Sequence, residues 1–185
     1  MSKSPYFPLH QAVQIAEEYR WQMSPYCTRI EIAGSVRREK PFVHDIELVA
    51  VPLICDVRDM FGTFISRQSA LELALINLLT LCGASAIKNG PKYKQFGLAE
   101  NIKLDLFLVT PPAEWGVIFA LRTGSADFSH RVVTSRKYGG FLPSYAKVRD
   151  GQVIDSNGDS IPMPEEGDFL EFCGLPRDLP PKSRE

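Results

Sequence analysis

The spacing of apolar residues along the chain predicts alternating helices and strands. Apolar side chains recur every three or four positions over residues 9–23 and over residues 66–81, which predicts two amphipathic helices. Residues 29–33 and 45–51 alternate between polar and apolar side chains, as half-buried strands do. The most apolar strand is predicted at residues 103–109, before Pro111-Pro112.

The remaining pattern predicts a hairpin and a differently organised C-terminal part. Residues 85–88 and 92–97 flank Asn89-Gly90, a pair suited to a tight turn between antiparallel strands. After a helix over 113–121, the pattern becomes shorter: a helix to about residue 137, short Gly-rich strands, and a final helix over 162–173. We therefore predict an α+β fold in which a mixed β-sheet is flanked by helices and followed by a small α+β subdomain.

Composition narrows the class of protein. The 185 residues are 44% hydrophobic, enough to bury a core, and 21 Lys and Arg stand against 22 Asp and Glu. The net charge of −1 excludes binding to nucleic acid by bulk charge, although a local basic patch can still bind it. Residues 1–5 show no signal-peptide pattern and no long apolar stretch follows, so we expect no membrane association and a cytoplasmic location (the nucleoid or a viral replication site if the chain is of phage origin).

The acidic residues carry the most information about chemistry. Asp45 and Glu47 are two apart in a predicted strand, so they project from the same face, and two ionised carboxylates so close repel each other. Asp105 interrupts an apolar strand, where a carboxylate must be solvated, paired or bound to a metal. If the two strands are neighbours, the three acids converge as hard oxygen ligands of the kind that Mg²⁺ prefers.

A glycine-containing turn precedes the first acidic strand. Gly34 allows the backbone to approach a phosphate, and the Ser35 hydroxyl and the following amides can donate hydrogen bonds to it. Arg38 can bind phosphate oxygens through its guanidinium. The turn lacks the spacing of a Walker loop.

In this order and spacing, the residues resemble a known superfamily. Gly34-Ser35 followed by Asp45-x-Glu47 and the later Asp105 strand is similar to the nucleotidyltransferase signature. Arg37-Arg38, Thr123-Gly124-Ser125 and the tail over 174–185 resemble family X DNA polymerases, the group of DNA polymerase beta. The resemblance covers residues 30–185 and implies a nucleotidyltransferase-type palm over 1–120 and a thumb over 121–185.

The resemblance also implies roles for individual residues. Asp45, Glu47 and Asp105 would hold two Mg²⁺ ions, for which Mn²⁺ can substitute, and Asp105 would help to accept the proton of the primer 3′-hydroxyl. The implied nucleotide-binding residues are Gly34, Ser35, Arg38, Thr123, Gly124, Ser125 and Ser129. The candidate DNA-binding residues are Lys88, Lys92 and Lys94 around the hairpin, Lys103 near the primer end, and Arg131, Arg136 and Lys137 in the thumb.

The sequence departs from the family at three places. Glu47 stands where these polymerases usually carry Asp, and Leu121-Arg122 replaces an aromatic pair, which leaves the choice between deoxyribonucleotides and ribonucleotides open. The residues before Gly34 leave no room for the family's lyase and helix-hairpin-helix domains. A reduced palm-plus-thumb enzyme is therefore expected.

The leading hypothesis is a DNA-directed DNA polymerase that fills short gaps in repair or replication, adding a nucleotide to a primer 3′-hydroxyl and releasing pyrophosphate. Its partners would be duplex or gapped DNA and a deoxynucleoside triphosphate, and we expect a monomer whose DNA affinity an accessory protein could supplement. Two alternatives stay open. One is a nucleotidyltransferase that acts on an RNA end or a small molecule, and the other is a non-catalytic module that binds DNA ends or nucleotides.

Overall fold

The chain has an α+β fold with a mixed sheet flanked by helices. A computed structural model describes residues 6–185, so the segment on which the expectation of no signal peptide rests, residues 1–5, lies outside it. Within residues 6–185, no helix has the length and apolar character needed to cross a membrane.

Twelve strands and six helices form the described part of the chain. The strands are β1 (Phe7–Pro8), β2 (Cys27–Ile32), β3 (Phe42–Val43), β4 (Asp45–Pro52), β5 (Ile54–Arg58), β6 (Phe64–Ser69), β7 (Ser85–Asn89), β8 (Tyr93–Gly97), β9 (Lys103–Leu108), β10 (Lys147–Arg149), β11 (Gln152–Ile154) and β12 (Ser160–Ile161). The helices are α1 (Leu9–Met23), α2 (Gly34–Arg37), α3 (Ala70–Leu81), α4 (Trp115–Thr123), α5 (Ala126–Val133) and α6 (Glu166–Phe172).

The central sheet has the strand order β2-β4-β9-β8-β7. β4 and β9 are parallel, and the other neighbouring strands in this sheet are antiparallel. The remaining strands form the hairpin β5–β6, the pair β1–β3 and the small sheet β10-β11-β12. A parallel pair needs a long connection, and the segment between β4 and β9 supplies it through β5–β6, α3 and β7–β8.

Strand alternation gives the central sheet two different faces. Ile46, Leu48, Leu104 and Leu106 are fully buried on one face, in a core that α1 and α3 cover. The opposite face carries Val49, Phe107 and Val109, which pack with Trp115 and Phe119 of α4. Glu47 and Asp105, two residues before Val49 and Phe107, lie on this second face.

Helix α4 connects the sheet with the C-terminal part of the chain. Trp115 and Phe119 pack on the sheet, whereas Val117 and Ala120 belong to a second core with Phe169 and other residues of α5, β11 and α6. The predicted palm–thumb boundary, between residues 120 and 121, falls within this helix.

Most of the predicted elements are confirmed, including α1, β4, β9 and the hairpin around Asn89-Gly90. The prediction of one helix over residues 66–81 is wrong at its start, because β6 runs to Ser69 and pairs with β5. The hydroxyl of Ser69 accepts a hydrogen bond from the backbone N–H of Glu72, which caps α3 after the strand ends.

The last predicted helix is also too long. Residues 162–165 are extended, and α6 begins at Glu166 after a capping box formed by Glu165 and Asp168. Pro162 and Pro164 lack the backbone N–H that a helix needs, so the first helical turn forms only beyond them. In the same region, the helix predicted to about residue 137 ends at Val133, and a 3-10 turn follows at Arg136–Tyr138.

Candidate active site

Three carboxylates lie on the second face of the central sheet. In the parallel ladder of β4 and β9, Glu47 stands opposite Asp105 and Asp45 opposite Lys103. The condition for convergence of the acids, that these two strands are neighbours, is therefore met. Asp45 and Glu47 share a face because they are two residues apart, so all three acids project from the same side of the sheet.

Burial and neighbouring carboxylates raise the pKa values of two of these acids, Asp45 and Glu47. Burial raises the pKa of Glu47 to about 7, and the negative charges of Asp45 and Asp105 add to that rise. Burial and the charge of Asp105 also raise the pKa of Asp45. Arg38 and Arg122 act in the opposite direction on Glu47, but their positive charges do not restore its ordinary pKa. The protein therefore concentrates more negative charge here than it neutralises.

Asp105 is nearly buried and has side-chain partners on the next strand. Its Oδ1 accepts a hydrogen bond from the Tyr93 hydroxyl at 3.0 Å and another from Gln95 Nε2 at 2.8 Å. Burial and the hydrogen bond to Asp105 raise the pKa of Tyr93 to about 12, so its hydroxyl stays a donor.

Within residues 6–185, no three His, Cys, Asp or Glu side chains are arranged around one point as metal ligands are.

Gly34 gives Glu47 its place. The residue has φ +61°, and a Cβ built on it would overlap Oε2 of Glu47. The backbone N–H of Ala33 donates to the Glu47 carbonyl at 2.8 Å, which fixes the turn against β4. Only glycine combines this left-handed backbone with the absence of a side chain at the carboxylate.

A cavity of about 320 Å³ opens beside the acids. Its walls come from the start of α2, from β4 and from the segment that joins α4 to α5. The lining residues are Ser35, Arg38, Asp45, Glu47, Leu121, Arg122, Gly124, Ser125, Ala126 and Ser129. The structure therefore brings residues predicted from three separate segments to one cavity. Asp105 stands opposite Glu47 in the sheet but does not line the cavity.

The basic pair ties the first turn to the C-terminal part. Arg38 Nη1 donates to the carbonyl oxygens of Thr123 at 2.6 Å and Gly124 at 3.0 Å. Arg37 donates to the Thr123 hydroxyl at 2.6 Å and to both carboxylate oxygens of Glu166, at 2.6 and 2.8 Å. Arg38 Nε is buried and makes no hydrogen bond within residues 6–185, but it lies 3.6 Å from a carboxylate oxygen of Glu185 and therefore faces that side chain.

The hydroxyls predicted to contact a nucleotide already make internal hydrogen bonds. Thr123 is fully buried and accepts from Arg37. Ser125 Oγ accepts from the backbone N–H of Phe128 and caps α5. Ser129 Oγ donates to the Leu121 carbonyl at 2.6 Å. These three side chains hold the shape of the cavity wall.

Five exposed members of the predicted DNA-binding set contact other residues of the chain. Lys88 lies over the Tyr93 ring, Lys92 is 4.0 Å from an oxygen of Asp150, Arg131 lies over Phe141, Arg136 donates to the Phe141 carbonyl, and Lys137 lies over Tyr138. Lys103 is exposed at the start of β9. Lys88, Lys92 and Lys103 lie in or next to strands of the central sheet, and Arg131, Arg136 and Lys137 lie in the C-terminal part.

Lys94 differs from the other candidates. Its residue is 5% exposed, and its ammonium lies 2.9 Å from a carboxylate oxygen of Glu72 and 2.6 Å from Asn89 Oδ1. It faces away from solvent into a small cavity between α3 and the β7–β8 hairpin. The ammonium therefore holds the hairpin to α3.

Sequence reasoning missed Tyr93, Gln95 and Arg122. Tyr93 and Gln95 are two residues apart on a strand, and this spacing places both on one face, but only the register with β9 shows that they meet Asp105. The Arg122 guanidinium lies 3.9 Å from the centre of the Phe107 ring, and its positive charge opposes the rise in the pKa of Glu47.

No protein-family model and no curated protein matches this chain.

Proposed function

We propose that this chain is a nucleotidyltransferase of the family X DNA polymerase type, with a palm over 1–120 and a thumb over 121–185. It would fill short gaps by adding a deoxynucleotide to a primer 3′-hydroxyl and releasing pyrophosphate. One observation carries the proposal: Asp45, Glu47 and Asp105 project from one face of two neighbouring strands, beside the cavity that Ser35 and Arg38 line.

Three properties of the acids favour binding of a divalent cation, although their oxygens do not surround a common point in the structure. Their oxygens are hard ligands of the kind that Mg²⁺ prefers. The charges of Asp45 and Asp105 raise the pKa of Glu47 more than Arg38 and Arg122 lower it, so repulsion among the acids is not fully neutralised. Gly34 has no side chain that would occupy the position of the Glu47 carboxylate. Asp45, Glu47 and Asp105 would therefore hold Mg²⁺, with Mn²⁺ as a substitute. When bound, two such ions favour deprotonation of an attacking hydroxyl and neutralise charge on the leaving pyrophosphate.

The protein's own groups account for the other requirements of the reaction. Ser35 and Arg38 line the cavity and would bind phosphate oxygens of the triphosphate. Asp105 would help to accept the proton of the acceptor hydroxyl. Arg37 and Arg38 hold the Thr123–Gly124 turn against α2, which fixes the width of the cavity.

A second candidate is nucleotidyl transfer to an RNA end or a small molecule. The net charge of −1 and the burial of Lys94 reduce the cationic surface available to a long duplex. The aliphatic and small side chains of Leu121 and Ala126 in the cavity wall also leave sugar selectivity open. Both candidates use the same acids and the same phosphate-binding groups.

The experiment that tests the proposal is single-nucleotide extension of a primer in a one-nucleotide gap. Wild type should incorporate the templated deoxynucleotide with Mg²⁺, and Asp105→Ala should be slower by at least about a thousandfold. Asp127→Ala, an exposed acid on α5, is the matched control and should extend as wild type does. A parallel arm with single-stranded RNA and ribonucleotides separates the second candidate from the first.

Two results would contradict the proposal. Extension by Asp105→Ala at the wild-type rate would remove the acids from the reaction. No extension of any acceptor by wild type, together with nucleotide affinity that Asp105→Ala leaves unchanged, would favour the non-catalytic binding module.

A further inference from the structure

Within residues 6–185, Asp105 is the one of the three acids whose carboxylate accepts side-chain hydrogen bonds. β8 runs antiparallel to β9, and in this ladder Gln95 stands opposite Asp105 while Tyr93 stands opposite Phe107. The side chains of Tyr93 and Gln95 therefore project from the same face as Asp105. Both reach its carboxylate, at 3.0 and 2.8 Å.

The two hydrogen bonds fall on the same oxygen. A single hydrogen bond would allow the carboxylate to rotate about it, whereas two donors on Oδ1 fix the plane of the group. With Oδ1 committed, Oδ2 is the oxygen available for a ligand. After burial, the negative charge of Asp105 is the largest cause of the raised pKa of Asp45. The Asp105 carboxylate is therefore close enough to Asp45 to repel it.

Tyr93 is itself rigidly placed. Its ring stacks on Phe107 with 5.0 Å between ring centres and an interplanar angle of 22°, and the Arg122 guanidinium lies on the Phe107 ring. Phe107 is buried between the sheet and α4. The hydroxyl of Tyr93 is thus presented to Asp105 by packed rings rather than by a mobile side chain.

We propose that Tyr93 and Gln95 are positioning residues that hold Oδ1 of Asp105, direct Oδ2 toward Asp45 and Glu47, and thereby set the affinity of the three acids for a divalent cation. This inference rests on the proposed function, because it takes the three acids as the cation ligands. Residues that orient a metal ligand from behind typically change metal affinity by about 10-fold to 100-fold when they are removed.

The test measures Mn²⁺ binding to the 185-residue chain without nucleotide, and electron paramagnetic resonance reports the concentration of free ion. Tyr93→Phe deletes one donor and keeps the stacked ring, and Gln95→Leu deletes the other with little change in size. Each should weaken Mn²⁺ binding by about 10-fold, and the double variant should weaken it further. Tyr145→Phe and Gln68→Leu are matched controls distant from the acids and should bind Mn²⁺ as wild type does.

Kinetics provide a second readout that a purely structural role would not move. At saturating Mg²⁺ the extension rate of Tyr93→Phe should approach that of wild type, while the Mg²⁺ concentration for half-maximal rate should rise about 10-fold. A loss caused by unfolding would lower the rate at every Mg²⁺ concentration. Tyr93→Phe is the most conservative of these variants, because it removes one oxygen atom and leaves the ring packing in place.

The possible failures can be told apart. If wild type binds no Mn²⁺, or Asp105→Asn binds it as tightly as wild type, the acids are not the cation ligands and the proposed function fails. If wild type binds Mn²⁺ and Asp105→Asn does not, but Tyr93→Phe and Gln95→Leu match wild type or bind more tightly, this inference is overturned and the proposed function stands.

Discussion

Gly34 and Glu47 are complementary, since a Cβ on Gly34 would occupy the position of the Glu47 carboxylate. The contact joins the turn that begins at Gly34 to the face of the central sheet that carries the three acids. The turn and the carboxylate must therefore move together, and a substitution in the turn acts on the acid directly.

The first prediction is that Gly34→Ala displaces Glu47. We expect single-nucleotide extension to fall by about 100-fold or more, because a shift of about 1 Å at a reacting group has that effect. Gly62→Ala is the control, since Gly62 also has a left-handed φ, +82°, but nothing lies within 4 Å of its added Cβ. Both variants carry a backbone penalty of about 1–2 kcal/mol in the free energy of unfolding. Equal activity losses in both would show that strain, and not the carboxylate, is responsible.

The second prediction concerns the stability of the protein against pH. Burial and the charges of Asp45 and Asp105 raise the pKa of Glu47 from 4.5 to about 7, so the folded chain holds this proton more tightly than the unfolded chain does. The stabilisation is complete below about pH 4.5 and is lost as the pH rises through 7, which amounts to about 3 kcal/mol. Asp45 acts in the same direction.

Urea unfolding in metal-free buffer at about pH 5 and about pH 8 measures this effect. Wild type should be less stable at the higher pH, and Glu47→Gln should lose most of that difference because it cannot ionise. Hydrogen bonds from Arg37 and Arg184 lower the pKa of Glu166, so its stabilising contribution is complete above about pH 4.5, is lost only at lower pH, and does not affect the comparison of pH 5 with pH 8. The same pH dependence in both proteins would mean that Glu47 is not the group responsible.

The sequence predicts the strands of the site because the alternation around Asp45 and the apolar run around Asp105 are both strong. It does not predict which neighbours these strands have on β8, since the register of a hairpin depends on packing across the sheet. Tyr93 and Gln95 were therefore missed, although both belong to a hairpin that was predicted.

Lys94 shows the same limit for a single residue. Its sequence neighbours Lys88 and Lys92 lie at the surface, and the pattern gives no reason to treat it differently. Its burial follows from Glu72, which comes from a helix more than twenty residues earlier and meets Lys94 only in the folded chain. Pairing of distant charges is set by tertiary structure, which local pattern does not contain.

The third prediction is that Glu166→Gln strongly destabilises the fold. Glu166 accepts hydrogen bonds from Arg37 and from the nearly buried Arg184, and its replacement leaves two guanidinium groups without a counter-charge. Breaking such a pair costs about 3–5 kcal/mol in the free energy of unfolding. Denaturant unfolding measures the loss. Glu17→Gln, which breaks an exposed pair with Arg20, should change stability by less than about 1 kcal/mol; similar losses in the two variants would contradict the prediction.

The fourth prediction separates Lys92 from Lys94 in nucleic-acid binding. Lys92 is exposed and its contact with Asp150, at 4.0 Å, is long, so it is free to exchange that contact for a phosphate. Lys94 is buried, and its ammonium contacts the side chains of Glu72 and Asn89. Each phosphate contact contributes about −0.9 to the slope of log affinity against log salt. Lys92→Ala should therefore make the slope shallower by about 1, and Lys94→Met should leave it unchanged.

Fluorescence anisotropy of a labelled gapped duplex, titrated at several salt concentrations, gives the slopes. Met at position 94 keeps the apolar contacts of the lysine stem with Leu75, Leu79 and Phe96, which line the same small cavity, so the variant is expected to fold. About six phosphate contacts would give wild type a slope of roughly −5. A shallower slope for Lys94→Met than for Lys92→Ala would place Lys94 on the nucleic acid and contradict the structure's pairing of Lys94 with Glu72.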